Sequence, residues 1–184
     1  MPERRYLVKE MFGPTLLGDG AHAGRACVFL HLAAREAAEA TADEIVARLR
    51  ELDTSRTHRV VVIGRQASLA WDVELSVAVR RAGFRVHLET DGTHAVAGPV
   101  DWLAIAPDAP TATLTEGLHA DEVKVVVDDA IDEATLDRYA ARWRCEHYFV
   151  QPRAPEQVSH TLALIQRRPR WRLSLQIHKI VGVP

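Results

Sequence analysis

A chain of 184 residues with a formal net charge of -2 and 47% apolar residues can bury a core of its own, and it lacks the basic excess expected of a nucleic-acid binder. Charged residues make up 26%, an ordinary share for a globular domain, and no run approaches the roughly 18 consecutive apolar residues of a membrane span. Cys27 and Cys145, the two cysteines, stand at unrelated positions; they exclude a disulfide framework and a CxxC metal or redox motif, and both are expected to be small buried apolar side chains.

The opening Met1-Pro2-Glu3-Arg4-Arg5 has no apolar signal core, so the expected location is the cytoplasm. Short β-type runs then alternate with helical patterns over a single expected domain, residues 1–184. That alternation predicts an α/β fold, a mostly parallel sheet with crossover helices. Strands are expected at 6–11, 26–32, 59–63, 85–88, 102–106, 122–127, 147–150 and 172–176. Val60-Val61-Val62-Ile63 and Val125-Val126-Val127 are apolar throughout, as suits strands covered on both faces. Thr41 followed by Glu44 is a capping box, and Ile45, Val46, Leu49 and Leu52 then share one helical face. The alanine-rich stretch 33–40 reads as an early extension of that helix. A second helix is expected from Leu69 to Gly83, a third from Asp132 through Leu136, Tyr139 and Ala140, and a fourth from 155 to 168, before Pro169.

In βα architectures functional side chains gather where parallel strands end. That rule selects Gly64-Arg65-Gln66, Glu89-Thr90-Asp91-Gly92-Thr93, Pro107-Asp108, Asp128-Asp129, Gln151-Pro152 and Gln176-Ile177-His178. Gly18-Asp19-Gly20 follows the first strand; its glycines let backbone approach a ligand, and Asp19 can accept from ligand N–H groups. The plain alternative is a tight turn. Glu89 can hold the paired N–H donors of a guanidine-like edge, and Asp91-Gly92 is by itself a turn signal. His178, close to Gln176 and to Pro184, is a side chain easily tuned to move a proton, or a structural histidine. His31 shares a strand face with Phe29, as a core histidine or a ligand contact. No HxH or HExxH pairing suggests zinc, Gly64-Arg65-Gln66 lacks phosphate-loop spacing, and Ser68, Ser159 and Ser174 lack a nucleophile's context.

Taken in order, Tyr6-Leu7-Val8-Lys9-Glu10-Met11-Phe12, Gly18-Asp19-Gly20, Ala23-Gly24-Arg25-Ala26-Cys27-Val28-Phe29, Glu89-Thr90-Asp91-Gly92-Thr93, Glu122-Val123-Lys124-Val125-Val126, Tyr148-Phe149-Val150-Gln151-Pro152 and Trp171-Arg172-Leu173-Ser174-Leu175-Gln176-Ile177-His178-Lys179 resemble the 7-carboxy-7-deazaguanine synthases, radical S-adenosylmethionine enzymes. The resemblance covers nearly the whole chain. It implies a partial (β/α) barrel and a homodimer. It also carries Glu89, Gln151, Gln176, His178 and the Pro184 carboxylate onto heterocycle-binding positions. The family's CxxxCxxC-type loop after the second strand, which holds a [4Fe–4S] cluster, is absent here: the chain runs through Ala34-Arg35-Glu36-Ala37-Ala38 instead. The threonine of its magnesium site goes with that loop. Its Gly-Gly-Glu-Pro strip becomes Gly64-Arg65-Gln66-Ala67, and a Ser-Pro-Lys becomes Ala106-Pro107-Asp108. The Arg that meets the substrate carboxylate becomes His31, which cannot clasp a carboxylate bidentately.

The expectation is therefore a protein without iron–sulfur cluster, bound S-adenosylmethionine or metal. It binds a pterin-, guanine- or deazaguanine-like heterocycle and acts on it by non-radical acid–base chemistry of the lyase or hydrolase type, with Asp19, His31 and His178 as proton carriers. The alternatives are a catalytically inactive ligand-binding or regulatory partner subunit, and a structural relic with no ligand. Neither nucleic acid nor membrane is an expected partner.

Overall fold

The computed structural model describes residues 3–33, 35–64, 67–108, 115 and 119–183. The first strand, β1 (Arg5–Leu16), is longer than its sequence pattern suggests. It turns through the loop 17–25 into β2 (Ala26–Leu32), with Phe12 opposite Phe29 in an antiparallel ladder. Those two rings stack with centroids 4.8 Å apart and planes 7° from parallel. On the other side of β1 lies β3 (Ala38–Thr41), also antiparallel, pairing Arg5 with Thr41 and Val8 with Ala38.

That strand corrects one expectation. Residues 38–41 do not extend the first helix, despite their helix-favouring composition. Thr41 is the N-cap of α1 (Ala42–Leu52); its backbone is extended, its side chain accepts from the Glu44 N–H, and the Glu44 carboxylate accepts from the Thr41 N–H. A capped helix cannot continue backwards through its cap, and the open edge of β1 supplies hydrogen bonds that an exposed helical turn would not. The second helix is likewise split, into α2 (Ala67–Ala70) and α3 (Val73–Arg81). Asp72 caps α3 by accepting from Leu75 N–H, and its carboxylate also receives the Tyr6 hydroxyl. The break thus ties a helix start to β1.

The chain then alternates β4 (Arg59–Ile63), already passed between α1 and α2, with β5 (Arg85–Thr90), β6 (Trp102–Ile105), β7 (Glu122–Val127), α4 (Glu133–Arg142), β8 (His147–Pro152), a 3-10 turn at Pro155–Gln157, α5 (Val158–Arg167), β9 (Arg172–Leu173) and α6 (Ile177–Val181). Among the described residues nine strands form one sheet in the order β3-β1-β2-β4-β5-β6-β7-β8-β9, parallel from β2 onward. The expected final strand is shorter than its pattern, because the chain turns at Gln176 into α6. None of the described helices is long and apolar enough to cross a membrane.

Alternation sorts each strand into two faces. Val28, Leu30, Leu32, Val60, Val62, Val86 and Leu88 point outward onto Ile45, Leu49, Trp71, Leu75 and Val79 of the helical layer. Further along, Val123, Val125, Val127, Tyr148 and Val150 meet Leu136, Tyr139, Trp143, Leu164 and Trp171. Each fully buried apolar side chain contributes about 1.5–3 kcal/mol. The opposite face carries Cys27, Phe29, Val61, Ile63, His87, Glu89, Trp102, Lys124, Phe149 and Gln151. The sheet curls around that face: the loop after β1 bonds across to β7 and to the β9–α6 segment, through Ala21 N–H to Glu122, Gly20 N–H to Ser174 and Ile177 N–H to the Gly18 carbonyl. The result is the mostly parallel sheet that the alternation of elements predicts, curled into the partial barrel that the family resemblance implies.

Candidate functional site

Because β2 begins where β4 and β5 begin, the loop 17–25 enters the barrel from the N-terminal edge of the parallel strands and closes that end. One side of the loop forms the floor of a cavity of about 240 Å³, lined by Phe12, Leu16, Leu17, Gly18, Asp19, Phe29, Val61, Ile63, Glu89, Lys124 and His178. Apolar walls with a few convergent polar groups are the usual composition of a small-ligand site.

Lys124 organises those polar groups. It is 4% exposed, and its ammonium donates to Asp19 Oδ1 at 2.6 Å and to Glu89 Oε2 at 3.0 Å. Burial alone pulls a lysine pKa down; here the Glu89 and Asp19 charges and hydrogen bonds outweigh it and hold the ammonium above its ordinary range. Two carboxylates from distant parts of the chain are thereby fixed side by side, with their remaining oxygens available as acceptors. Two residues earlier on the same strand face, Glu122 is pushed up to about 7, chiefly by burial and further by Glu89 and Asp19, against the Ala21 N–H and Lys124.

Two glycines seat the loop. A Cβ on Gly18 would lie 1.7 Å from His178 Nδ1, so the absence of a side chain is what lets that imidazole rest on the loop. Gly20 has φ +70°, and a Cβ there would lie 2.4 Å from Glu122 Oε1. Its N–H donates to Ser174 Oγ, whose hydroxyl donates to Gln151 Oε1.

Asp19, Glu89 and His178 thus meet in one cavity. Gln151 is 2% exposed and reaches the site through Ser174 and the loop, not through the cavity wall. Gln176 is the half-buried residue before α6 and does not line the cavity. His31 shares the inward face with Phe29 but lies beyond the cavity, its Nδ1 3.2 Å from Glu10 Oε1. Pro184 lies outside the described residues. Lys124 and Glu122 escaped the sequence reading, although a signal existed: two opposite charges two apart inside the apolar run Glu122-Val123-Lys124-Val125 place both on one inward strand face.

A second cavity of about 370 Å³ adjoins the first, sharing Ile63 and Glu89, and is lined further by Gly64, Thr90, Asp91, Ala106 and Asp108 at the strand ends. Asp91 Oδ1 accepts from the Thr93 N–H and hydroxyl, which makes Asp91-Gly92 a turn as well as a rim. Arg65 and Gln66 lie outside the described residues.

The residues present do not fit a [4Fe–4S] cluster. Its ligands are thiolates; the chain holds two cysteines, and neither lies in the segment between β2 and β3. Cys27 is buried at the start of β2, where burial pushes its thiol up to about 12. Burial likewise raises the Cys145 thiol, which lies against the His147 carbonyl. No described group of three His, Cys, Asp or Glu side chains is arranged to hold a metal ion.

A mostly parallel, partly closed sheet with helices outside and a charged cavity inside defines the chain as an α/β protein of the partial-barrel type. No protein-family model matches it. It is 33% identical over 216 residues to the 7-carboxy-7-deazaguanine synthase of Bordetella pertussis, covering 97% of this chain and 99% of the relative; the Burkholderia multivorans synthase gives the same identity and coverage. The solved structure of QueE from Escherichia coli superposes with a TM-score of 0.74 at 21% identity over 94% of each chain, a likeness of fold. The chain therefore belongs to the 7-carboxy-7-deazaguanine synthase family. Alignments over 216 residues against a chain of 184 leave at least 32 positions facing a gap in it, so it is a shortened member.

Proposed function

We propose that this protein binds a flat pterin-, guanine- or deazaguanine-like heterocycle in the Asp19–Lys124–Glu89 cavity and acts on it by acid–base chemistry independent of an iron–sulfur cluster. The observation that carries this reading is the paired carboxylates. Asp19 and Glu89 offer adjacent acceptors to the N–H edge of a 2-aminopyrimidinone-type ring, while Phe12 and Phe29 supply aromatic surface.

Charge narrows the ligand. Among the described residues Lys124 is the only Lys or Arg lining the cavity, and it is already shared between two acids. A ligand carboxylate would find no free guanidinium or ammonium there among the described residues, which favours a ring without a carboxylate. Proton transfer falls to His178, whose ring lies in the cavity against Gly18 and has no hydrogen-bond partner among the described residues; Asp19 and Glu89 orient the ring. His31 serves, if at all, at the rim beside Glu10.

Titration calorimetry of the iron-free protein with pterin, guanine and 7-deazaguanine, and with a carboxylated pterin, tests the binding. The uncharged rings should bind, Glu89→Gln should weaken them at least tenfold, and the carboxylated ring should bind less well. No binding of any ring, or preference for the carboxylated one, refutes the reading. Turnover is read separately: a His178→Gln variant that binds normally but converts nothing supports the enzyme. Tight binding without chemistry in a broad analogue screen supports the alternative, a ligand-binding partner subunit, which the double ion pair favours because Lys124 occupies both acids. Assembly as a homodimer belongs to the same proposal and is read by light scattering.

A further inference from the structure

The opposite side of the loop 17–25, at the N-terminal mouth of the barrel, presents groups that all lack the same thing. Arg59 and Arg85 are register partners on adjacent parallel strands, at positions in phase with the inward-facing Val61 and His87. Like charges placed so are destabilising unless a counter-charge joins them. Arg25, at the end of the loop, adds a third: Arg59 is depressed first by burial and then by Arg25 and Arg85, and among the described residues none of the three makes an ion pair.

Above them, His22 from the loop packs on Trp102, ring centroids 4.2 Å apart, and edge-on to His87 at 5.6 Å. His87 is 2% exposed and among the described residues neither ring nitrogen has a partner; His22 Nδ1 and Trp102 Nε1 are buried without one there too. Unpartnered buried polar atoms of this kind are uncommon and destabilising. The indole and the guanidiniums only donate, and a neutral imidazole donates from one nitrogen while the other accepts. What the indole, the guanidiniums and the protonated nitrogen of each imidazole lack is an acceptor. The nearby acids are directed elsewhere through one oxygen each: Asp121 Oδ2 accepts from the Leu103 N–H, and Asp101 Oδ2 from the Val86 N–H and Arg80.

We propose that the N-terminal mouth of the barrel, framed by Arg25, Arg59 and Arg85 and backed by His22 and Trp102, is a binding site for a phosphate-type oxyanion. A tetrahedral oxyanion presents acceptors in several directions at once, matches the guanidinium fork, and neutralises Arg59 and Arg85 together. The site is separate from the heterocycle cavity, on the other side of the same loop.

The test is thermal unfolding and titration calorimetry of the full chain in inorganic phosphate against chloride at matched ionic strength. Phosphate should raise Tm saturably where chloride does not. Arg59→Gln and, independently, Arg85→Gln should weaken phosphate at least tenfold. In chloride either variant should melt at the wild-type temperature or above it, because repulsion has been removed, so the sign of the mutational effect reverses with the anion. Arg48→Gln, on α1 beside Glu51, should leave the phosphate response intact. A nucleoside monophosphate that competes with phosphate, and is lost in the same variants, identifies the oxyanion as part of a larger ligand; phosphate binding without such competition identifies the free ion. Equal stabilisation by chloride, or an undiminished phosphate response in both arginine variants, overturns the proposal.

Discussion

One loop separates two interiors that differ in how their charges are settled. Toward the Asp19–Lys124–Glu89 cavity, Asp19 is held at 2.6 Å by Lys124, which also holds Glu89. Toward the N-terminal mouth, the exposed Arg25 and Arg85 bear on the half-buried Arg59, and among the described residues none of the three makes an ion pair and the buried His22 Nδ1, both His87 nitrogens and Trp102 Nε1 go unpaired. The cavity is preorganised: its polar groups are fixed before a ligand arrives, which lowers the cost of binding. The mouth is strained in charge and donors, and its strain falls only when an acceptor arrives. Low dielectric makes both conditions matter, since it strengthens a satisfied network and penalises an unsatisfied one.

The sharpest way to break this contrast is to unsettle the cavity. Lys124→Met leaves Asp19 and Glu89, both only partly buried, facing each other around a buried position with no cation. Removing one partner of a buried pair costs about 3 kcal/mol or more. Urea unfolding should register that loss, and Asp19→Asn combined with Lys124→Met should recover part of it, because one of the two stranded charges is gone. If Lys124→Met is as stable as wild type, the ion pairs do not organise the cavity.

Gly18→Ala acts on the same wall with less force. Its Cβ cannot coexist with the His178 ring, so α6 must retreat; overpacking of this kind costs about 1–3 kcal/mol. The stability change should be smaller than for Lys124→Met, while heterocycle affinity falls at least tenfold. Unaltered affinity would show that His178 does not need its seat on Gly18.

Acidity tests the mouth more gently. His22 is lowered from 6.5 to about 4, first by burial and then by Arg25, Arg59 and His147, and His87 is pushed down by burial, Lys124, His22 and Arg59. Below 6.5 the unfolded chain takes up protons that the folded chain refuses, so stability should be full above 6.5 and decline steadily toward pH 4. Glu122 works the other way: raised to about 7, it supports the fold below 4.5 and loses that support as pH rises through 7. His22→Phe should flatten the acid limb of a stability–pH profile, and Glu122→Gln the neutral limb. A profile unchanged by His22→Phe would place that imidazole in water.

How much of this was legible in the sequence follows from where each signal resides. Strand runs such as Val60-Val61-Val62-Ile63 and the Thr41/Glu44 cap are local, and they read correctly. Residues 38–41 misread because alanine propensity is local whereas the free edge of β1 is not. Among the site residues, Asp19, Glu89 and His178 stood out by turn and strand-end position. Lys124 did not, because an apolar strand hides a charge whose partners lie 105 and 35 residues away. The arginine mouth was invisible for the same reason: Arg59 and Arg85 each open a strand unremarkably, and only register puts them side by side.

The smallest expected effect isolates His31, whose position depends on neither interior. It is paired at 3.2 Å with Glu10, a side chain 53% exposed, and such surface pairs contribute about 0–1 kcal/mol. His31→Ala should therefore leave urea unfolding within about 0.5 kcal/mol of wild type. Ring affinity should hold as well, since the imidazole does not line the cavity. Any conversion of a bound heterocycle then becomes the discriminating readout. If turnover drops while affinity and stability stay, His31 moves a proton from the rim, and the acid–base reading gains a second carrier beside His178. If turnover is unchanged, His31 is an edge histidine held by Glu10, and the proton chemistry rests on the imidazole that sits against Gly18.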